Sequence, residues 1–143
     1  MPANTQPIFS ISGDVSNNSA TGMNQLITAA ANDYTGAGAN NSLVFTAGSN
    51  GGFVQRLRFK AGGTNVATVA RVFINNGSAN TTASNNVFYD EIALPATTAS
   101  ATAGTPTIDL PINIALPAGF RIYVGLGTAV ASGWVVTPVA GEY

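Results

Sequence analysis

TIDLPINIALPAGFRIYVGLG, residues 107–127, is the stretch whose reading decides the fold. Its first half alternates. Ile108, Leu110, Ile112, Ile114 and Leu116 fall on one side, and Asp109, Pro111, Asn113 and Ala115 on the other. A period of two marks a strand with one buried face. Leu116-Pro117-Ala118-Gly119 follows as a tight turn, with proline presetting φ at its second position. A second strand then places Phe120, Ile122, Val124 and Leu126 on one face and Arg121 and Tyr123 on the other. The pattern predicts an antiparallel hairpin. Its apolar face carries Ile108, Leu110, Ile112, Ile114, Phe120, Ile122 and Val124, and such a face needs a second layer over it.

The rest of the chain supplies that layer. Leu43–Thr46, Phe53–Lys60, Ala67–Ile74, Val87–Leu94 and Trp134–Val139 read as further short strands, each bounded by Gly, Asn, Ser or Pro. Asn50-Gly51 is a hairpin signal. In Phe53–Lys60 one face is Phe53, Gln55, Leu57 and Phe59, and the other is Val54, Arg56, Arg58 and Lys60. Ala67–Ile74 is apolar on both sides, which predicts a strand covered on both faces. Leu26–Ala31 leans towards strand, and Ile8–Ile11 is one more candidate. Asn75–Asn86 is a long polar loop, and Pro95–Pro106 is an extended Ala/Thr connection. Eight or nine strands with no long amphipathic helix predict an all-β, two-sheet antiparallel sandwich of the jelly-roll kind. The expected organisation is an extended N-terminal arm and loop over 1–24, then a single β-sandwich domain over 25–143.

Composition narrows function mainly by exclusion. The chain has 143 residues, enough for one domain with a sizeable core. Charged residues are only 8%, against about 25% in ordinary soluble domains. A surface with so few charges suits burial in an assembly, because interface cores are depleted in charge. Net charge is −1, with no basic tail, so no nucleic-acid partner is expected. No run of about 18 apolar residues occurs, so no membrane partner is expected. The first residues lack the pattern of a secretory signal.

There is no Cys and no His. The thiol nucleophile, the commonest general base and the commonest metal ligands are therefore missing. Asp90-Glu91 is the one adjacent acidic pair, but neighbours on a strand point to opposite faces. The acids Asp14, Asp33, Asp90, Glu91, Asp109 and Glu142 show no calcium-loop spacing. The expectation is no enzyme, no cofactor and no metal. Arg56, Arg58 and Lys60 hold three of the five basic residues on one strand face. They read as a solvated face paired across strands with Asp90 or Glu91, or as a contact to a partner. Candidate interface residues are therefore Arg56, Arg58 and Lys60, together with Asp109, Asn113, Arg121 and Tyr123 on the face opposite the predicted core. Trp134 reads as a core anchor. Asn17, Asn40, Asn76 and Asn80 begin Asn-x-Ser/Thr sequences, which chance explains in so Asn-rich a chain.

Three segments carry a resemblance: ATVARVFINNG (67–77), NVFYDEIALPATTAS (86–100) and the whole of 107–143. They resemble small structural proteins encoded beside capsid genes in tailed bacteriophages. The most recognisable parts are Arg71–Gly77, the Leu-Pro-Ala-Gly turn and Gly133-Trp134-Val135-Val136. The resemblance implies a capsid decoration, or cement, protein. It implies a jelly-roll-like homotrimer on the outer surface of the mature head, made in the host cytoplasm. It also implies the major capsid protein as partner. Residues 1–24 would reach onto the capsid or a neighbouring subunit. The alternatives are a trimeric receptor-binding or fibre-head domain of a phage tail and, behind it, a secreted enzyme or carbohydrate-binding module.

Overall fold

Alternation of apolar and polar residues, broken by Gly, Asn and Pro, produces eight strands and one short 3-10 turn among the described residues. They are β1 (Gln25–Ile27), β2 (Ser42–Thr46), β3 (Gly52–Ala61), β4 (Thr68–Asn75), β5 (Asn86–Leu94), β6 (Thr107–Leu116), β7 (Arg121–Leu126) and β8 (Trp134–Glu142), with the 3-10 turn at Ala83–Asn85. The structure is a computed structural model, and it describes residues 25–31 and 33–143. The expected strand Ile8–Ile11 and the expected arm 1–24 lie outside the described residues.

The strands form two four-stranded sheets, β1-β8-β3-β6 and β2-β7-β4-β5, in which every strand pair is antiparallel. Pairing follows a simple rule: first with last, second with seventh, third with sixth, fourth with fifth. The chain is one long hairpin, doubled back at the polar loop before β5 and then rolled so that alternate pairs fall in opposite sheets. This is a jelly roll, the two-sheet answer to the problem of exposed strand edges.

That topology corrects the hairpin expected at 107–127. β6 pairs with β3 in one sheet, and β7 lies between β2 and β4 in the other. The connecting turn is real but sits one residue later. The Phe120 amide donates to the Pro117 carbonyl at 3.1 Å, and Gly119 takes φ 75°. Positive φ at the third position of a turn is what glycine supplies. The turn reverses the chain and rolls it, so the two apolar faces meet across the core instead of lying side by side. Leu110, Ile112 and Leu116 are buried on β6, and Ile122, Val124 and Leu126 on β7. Ile108, Ile114 and Phe120 pack half-buried at the margin.

Asn50-Gly51 behaves the same way. The Gly51 amide donates to the Gly48 carbonyl at 3.1 Å, with Gly51 at φ 95°. Yet β2 and β3, on either side, belong to different sheets. Among the described strands, only β4 and β5 are both consecutive and paired.

The core between the sheets is anchored by Trp134, Phe45, Phe59, Leu57, Leu94 and Ile122, all at or near zero exposure. β4 is the doubly covered strand that its sequence predicts. Its inner face buries Ala70 and Val72, and its outer face buries Arg71, Phe73 and Asn75. The outer cover comes from the chain itself. Residues after β1 cross the outer face of the second sheet, starting where the Ala31 amide donates to the Leu126 carbonyl at 2.8 Å. Further along, the Tyr34 ring packs edge-on to Phe88 at 5.3 Å and lies 4.0 Å from the Arg71 guanidinium.

Candidate functional site

The chain itself covers the outer face of the second sheet over β4 but leaves Val87, Phe88 and Tyr89 of β5 exposed, and the outer face of the first sheet carries no such cover among the described residues. β3 and β6 build its charged half. Arg56, Arg58 and Lys60 project outward from β3 as the alternation requires, and Asp109 sits on β6 directly across from Arg58. Arg58 grips Asp109 with two parallel contacts, Nε to Oδ1 at 3.0 Å and a second guanidinium nitrogen to Oδ2 at 3.4 Å. Arg56 Nε lies 3.7 Å from Asp109 Oδ2. The hydrogen bond from Arg58 holds the Asp109 carboxyl below its ordinary value, and the same bond raises the Arg58 guanidinium. Lys60 Nζ donates to the Thr105 carbonyl.

The cross-strand partner of the basic stripe is therefore Asp109. Asp90 and Glu91 were the expected partners, and the strand order rules them out. They lie on β5 in the other sheet, where the Glu91 carboxylate approaches Arg71 Nε at 3.6 Å. Two cations sharing one carboxylate leave this half of the face with net positive charge. The pairs themselves are exposed, and such pairs contribute little to stability.

Asn113 is exposed on the same strand as Asp109, in the left-handed region at φ 49°, where β6 carries an extra residue against β3. Arg121 and Tyr123 are elsewhere. Both lie on β7 in the second sheet, and Tyr123 is only 8% exposed, flanked by Leu43 and Phe73. The expectation that Asp109, Asn113, Arg121 and Tyr123 share a face is thus corrected. It assumed that β6 and β7 pair, and they do not.

The other half of the surface is apolar, and alternation alone does not reveal it. Phe53, expected inward with Leu57 and Phe59, points outward at 37% exposed, while Val54 is fully buried. The cause is a register shift between Val54 and Arg56 against both neighbouring strands. A signal existed in the sequence: without a bulge, Gln55 would have to face the core. Phe53 stands across from Gly141 on β8, which has no side chain to fill the space beside the ring. The result is a hollow of about 300 Å³ lined by Phe53, Gln55, Val139, Ala140, Gly141 and Tyr143.

Among the described residues no group of three or more acids is placed to hold a metal ion. Asp33, Asp90, Glu91, Asp109 and Glu142 are dispersed. Asp33 organises its own loop. It accepts the amides of Thr35 and Gly36 at 2.9 and 2.6 Å, and Asn41 Nδ2 at 3.1 Å. Burial raises its pKa, but the hydrogen bonds from Asn41, Thr35 and Gly36 outweigh it and hold the carboxyl below its ordinary value. Trp134 is fully buried, as a core anchor should be.

The described residues form an eight-stranded jelly-roll sandwich in which one outer face is covered in part by the chain itself and the other carries a basic stripe beside an apolar hollow. No family model, no curated protein and no solved structure matches the chain.

Proposed function

We propose that this protein is a capsid decoration protein of a tailed bacteriophage. It binds the outside of the mature head and holds neighbouring capsomers together. The observation that carries the reading is the outer face of the sheet β1-β8-β3-β6, which is uncovered among the described residues. It joins Arg56, Arg58 and Lys60 to the Phe53 hollow, while the opposite sheet is covered by the chain's own residues over β4 and leaves Val87, Phe88 and Tyr89 of β5 exposed. The jelly roll and the resemblance of segments 67–77, 86–100 and 107–143 support it. A cement protein works by mass action: what binds only the expanded shell stabilises that shell. The partners are the major capsid protein and two further copies of this chain in a homotrimer.

The test is binding of purified protein to expanded and unexpanded heads, read by co-sedimentation. Saturable binding to expanded heads alone is the expected result, and no affinity for them would overturn the proposal. Arg58→Glu should slow association several-fold and weaken its dependence on salt, as charges at an interface rim do. Microscopy of labelled protein on whole virions decides between head and tail. A tail-tip signal would replace the proposal with a fibre-head domain.

A further inference from the structure

The sequence holds two Asn-Gly pairs, Asn50-Gly51 and Asn76-Gly77. Such a pair carries its own nucleophile. The glycine amide nitrogen attacks the asparagine Cγ, gives up its proton and forms a C–N bond. The Cγ–Nδ2 bond then breaks, and the side-chain nitrogen leaves as ammonia. Water opens the resulting succinimide at either carbonyl, to an aspartyl or an isoaspartyl residue. Glycine favours the attack because no Cβ shields its amide.

The fold requires both glycines. Gly51 and Gly77 take φ 95° and 92°. A Cβ at Gly51 would come within 2.7 Å of the Leu116 carbonyl oxygen, and one at Gly77 within 2.8 Å of the Gly119 carbonyl oxygen. Both asparagines are exposed. What differs is how each pair is held.

At Asn76 both reacting groups are engaged. Asn76 Oδ1 accepts the Ser78 amide at 3.0 Å, and its Nδ2 donates to Asn85 Oδ1 at 3.3 Å. The Gly77 amide donates to Asn75 Oδ1 at 2.8 Å. Asn75 is fully buried, and its Nδ2 donates to Asn86 Oδ1 at 2.8 Å. The Asn76 amide is held too, by the Asn85 carbonyl at 3.0 Å. To reach the Asn76 Cγ, the Gly77 nitrogen must leave a network that ties β4 to β5. Asn50 sits in a turn beside Ser49, which is also exposed. Its carboxamide has no hydrogen-bond partner among the described residues. The nucleophile is held by one backbone bond, from the Gly51 amide to the Gly48 carbonyl at 3.1 Å. Bonds in exposed turns open at little free-energy cost.

We propose that Asn50 is a site of spontaneous deamidation in the folded protein, and that the fold protects Asn76. The product places a new carboxylate in the turn whose Gly48 lies against the Glu142 side chain. The isoaspartyl form also inserts a methylene into the main chain just before Gly51, whose carbonyl accepts the Tyr143 amide at 3.2 Å. Tyr143 and Gly141 line the hollow beside Phe53, so ageing of the protein alters one rim of the candidate surface. This inference does not depend on what that surface binds.

The test uses the full-length protein, incubated at mildly alkaline pH both folded and in concentrated urea. Peptide mapping by mass spectrometry follows conversion of amide to acid at each asparagine over time. In the folded protein Asn50 should convert several-fold faster than Asn76. In urea the two rates should converge, because both asparagines precede glycine and neither is held. An equal or faster rate at Asn76 in the folded protein would overturn the proposal. A difference just as large in urea would also overturn it, by assigning the protection to local sequence instead of the fold.

Discussion

Arg71 joins a cation–π contact, a hydrogen bond and an ion pair at one residue. Its guanidinium is nearly buried on the outer face of the second sheet. It lies over the Tyr34 ring at 4.0 Å, donates to the Tyr34 hydroxyl at 3.1 Å and faces Glu91 at 3.6 Å. A buried cation without such partners would be strongly unfavourable. Truncation to Arg71→Ala removes both the charge contacts and the nearly buried aliphatic stem. The expected loss is about 2 kcal/mol, and Arg71→Met, which keeps most of the packing, should lose about half as much. Urea denaturation of the three proteins checks this order. Asp33 makes a second prediction. Its carboxyl and that of Asp109 are both lowered from an ordinary value of 3.8. A lowered carboxylate contributes stability that is full above the unfolded pKa and is lost as pH falls through the folded one. Stability should be flat from about pH 7 to 5 in this respect and decline below about pH 4. The decline should be shallower in Asp33→Asn, as followed by the urea midpoint.

At the scale of elements, the segment Ala31–Asn41 and β7 are fitted to each other at Gly125. A Cβ at Gly125 would run into the Asn41 side chain and come within 2.8 Å of the Ala31 Cβ. Gly125→Ala should therefore push the covering segment off β7, at about 2 kcal/mol. The thermal midpoint should fall by about 6 °C. Individual strands were legible in the sequence because alternation is local, and β2 to β8 all lie where their patterns place them. Pairing was not legible. Leu116–Phe120 and Asn50-Gly51 carry the turn chemistry of hairpins, but turn residues fix a reversal of direction and leave the roll of the next strand open. That roll is decided by which apolar faces must meet, which is a property of the whole sandwich. The candidate surface was half legible for the same reason. Arg56, Arg58, Lys60 and Asp109 follow from alternation alone. Phe53 and the hollow depend on a bulge beside Gln55, and Arg121 and Tyr123 were assigned through a hairpin that does not form.

The edges of the first sheet are defended by composition. Pro111 lies within its edge strand β6, and Pro138 follows the short pairing of β1 with β8. A proline on an edge denies a passing strand one hydrogen bond. For the whole molecule the rolled hairpin also sets a folding time. Among the described strands only β4 and β5 pair through a local loop, and every other pair joins segments distant in sequence. Such non-local topologies fold in milliseconds to seconds. Stopped-flow refolding followed by Trp134 fluorescence should show its main phase in that range, whereas a phase in microseconds would contradict the topology.

The pairing of the first strand with the last has a mechanical consequence. Gln25 and Glu142 both lie at the ends of β1 and β8 that face the same way. Tension applied between them would open the β1–β8 ladder one hydrogen bond at a time, as a zip, and among the described residues three residue pairs resist it. A load spread over the face of β3, β6 and β8 meets their ladders together, in parallel. This domain is weak when pulled by its tail and strong when pressed or sheared across its sheet, so a surface that must bear stress belongs on the sheet face.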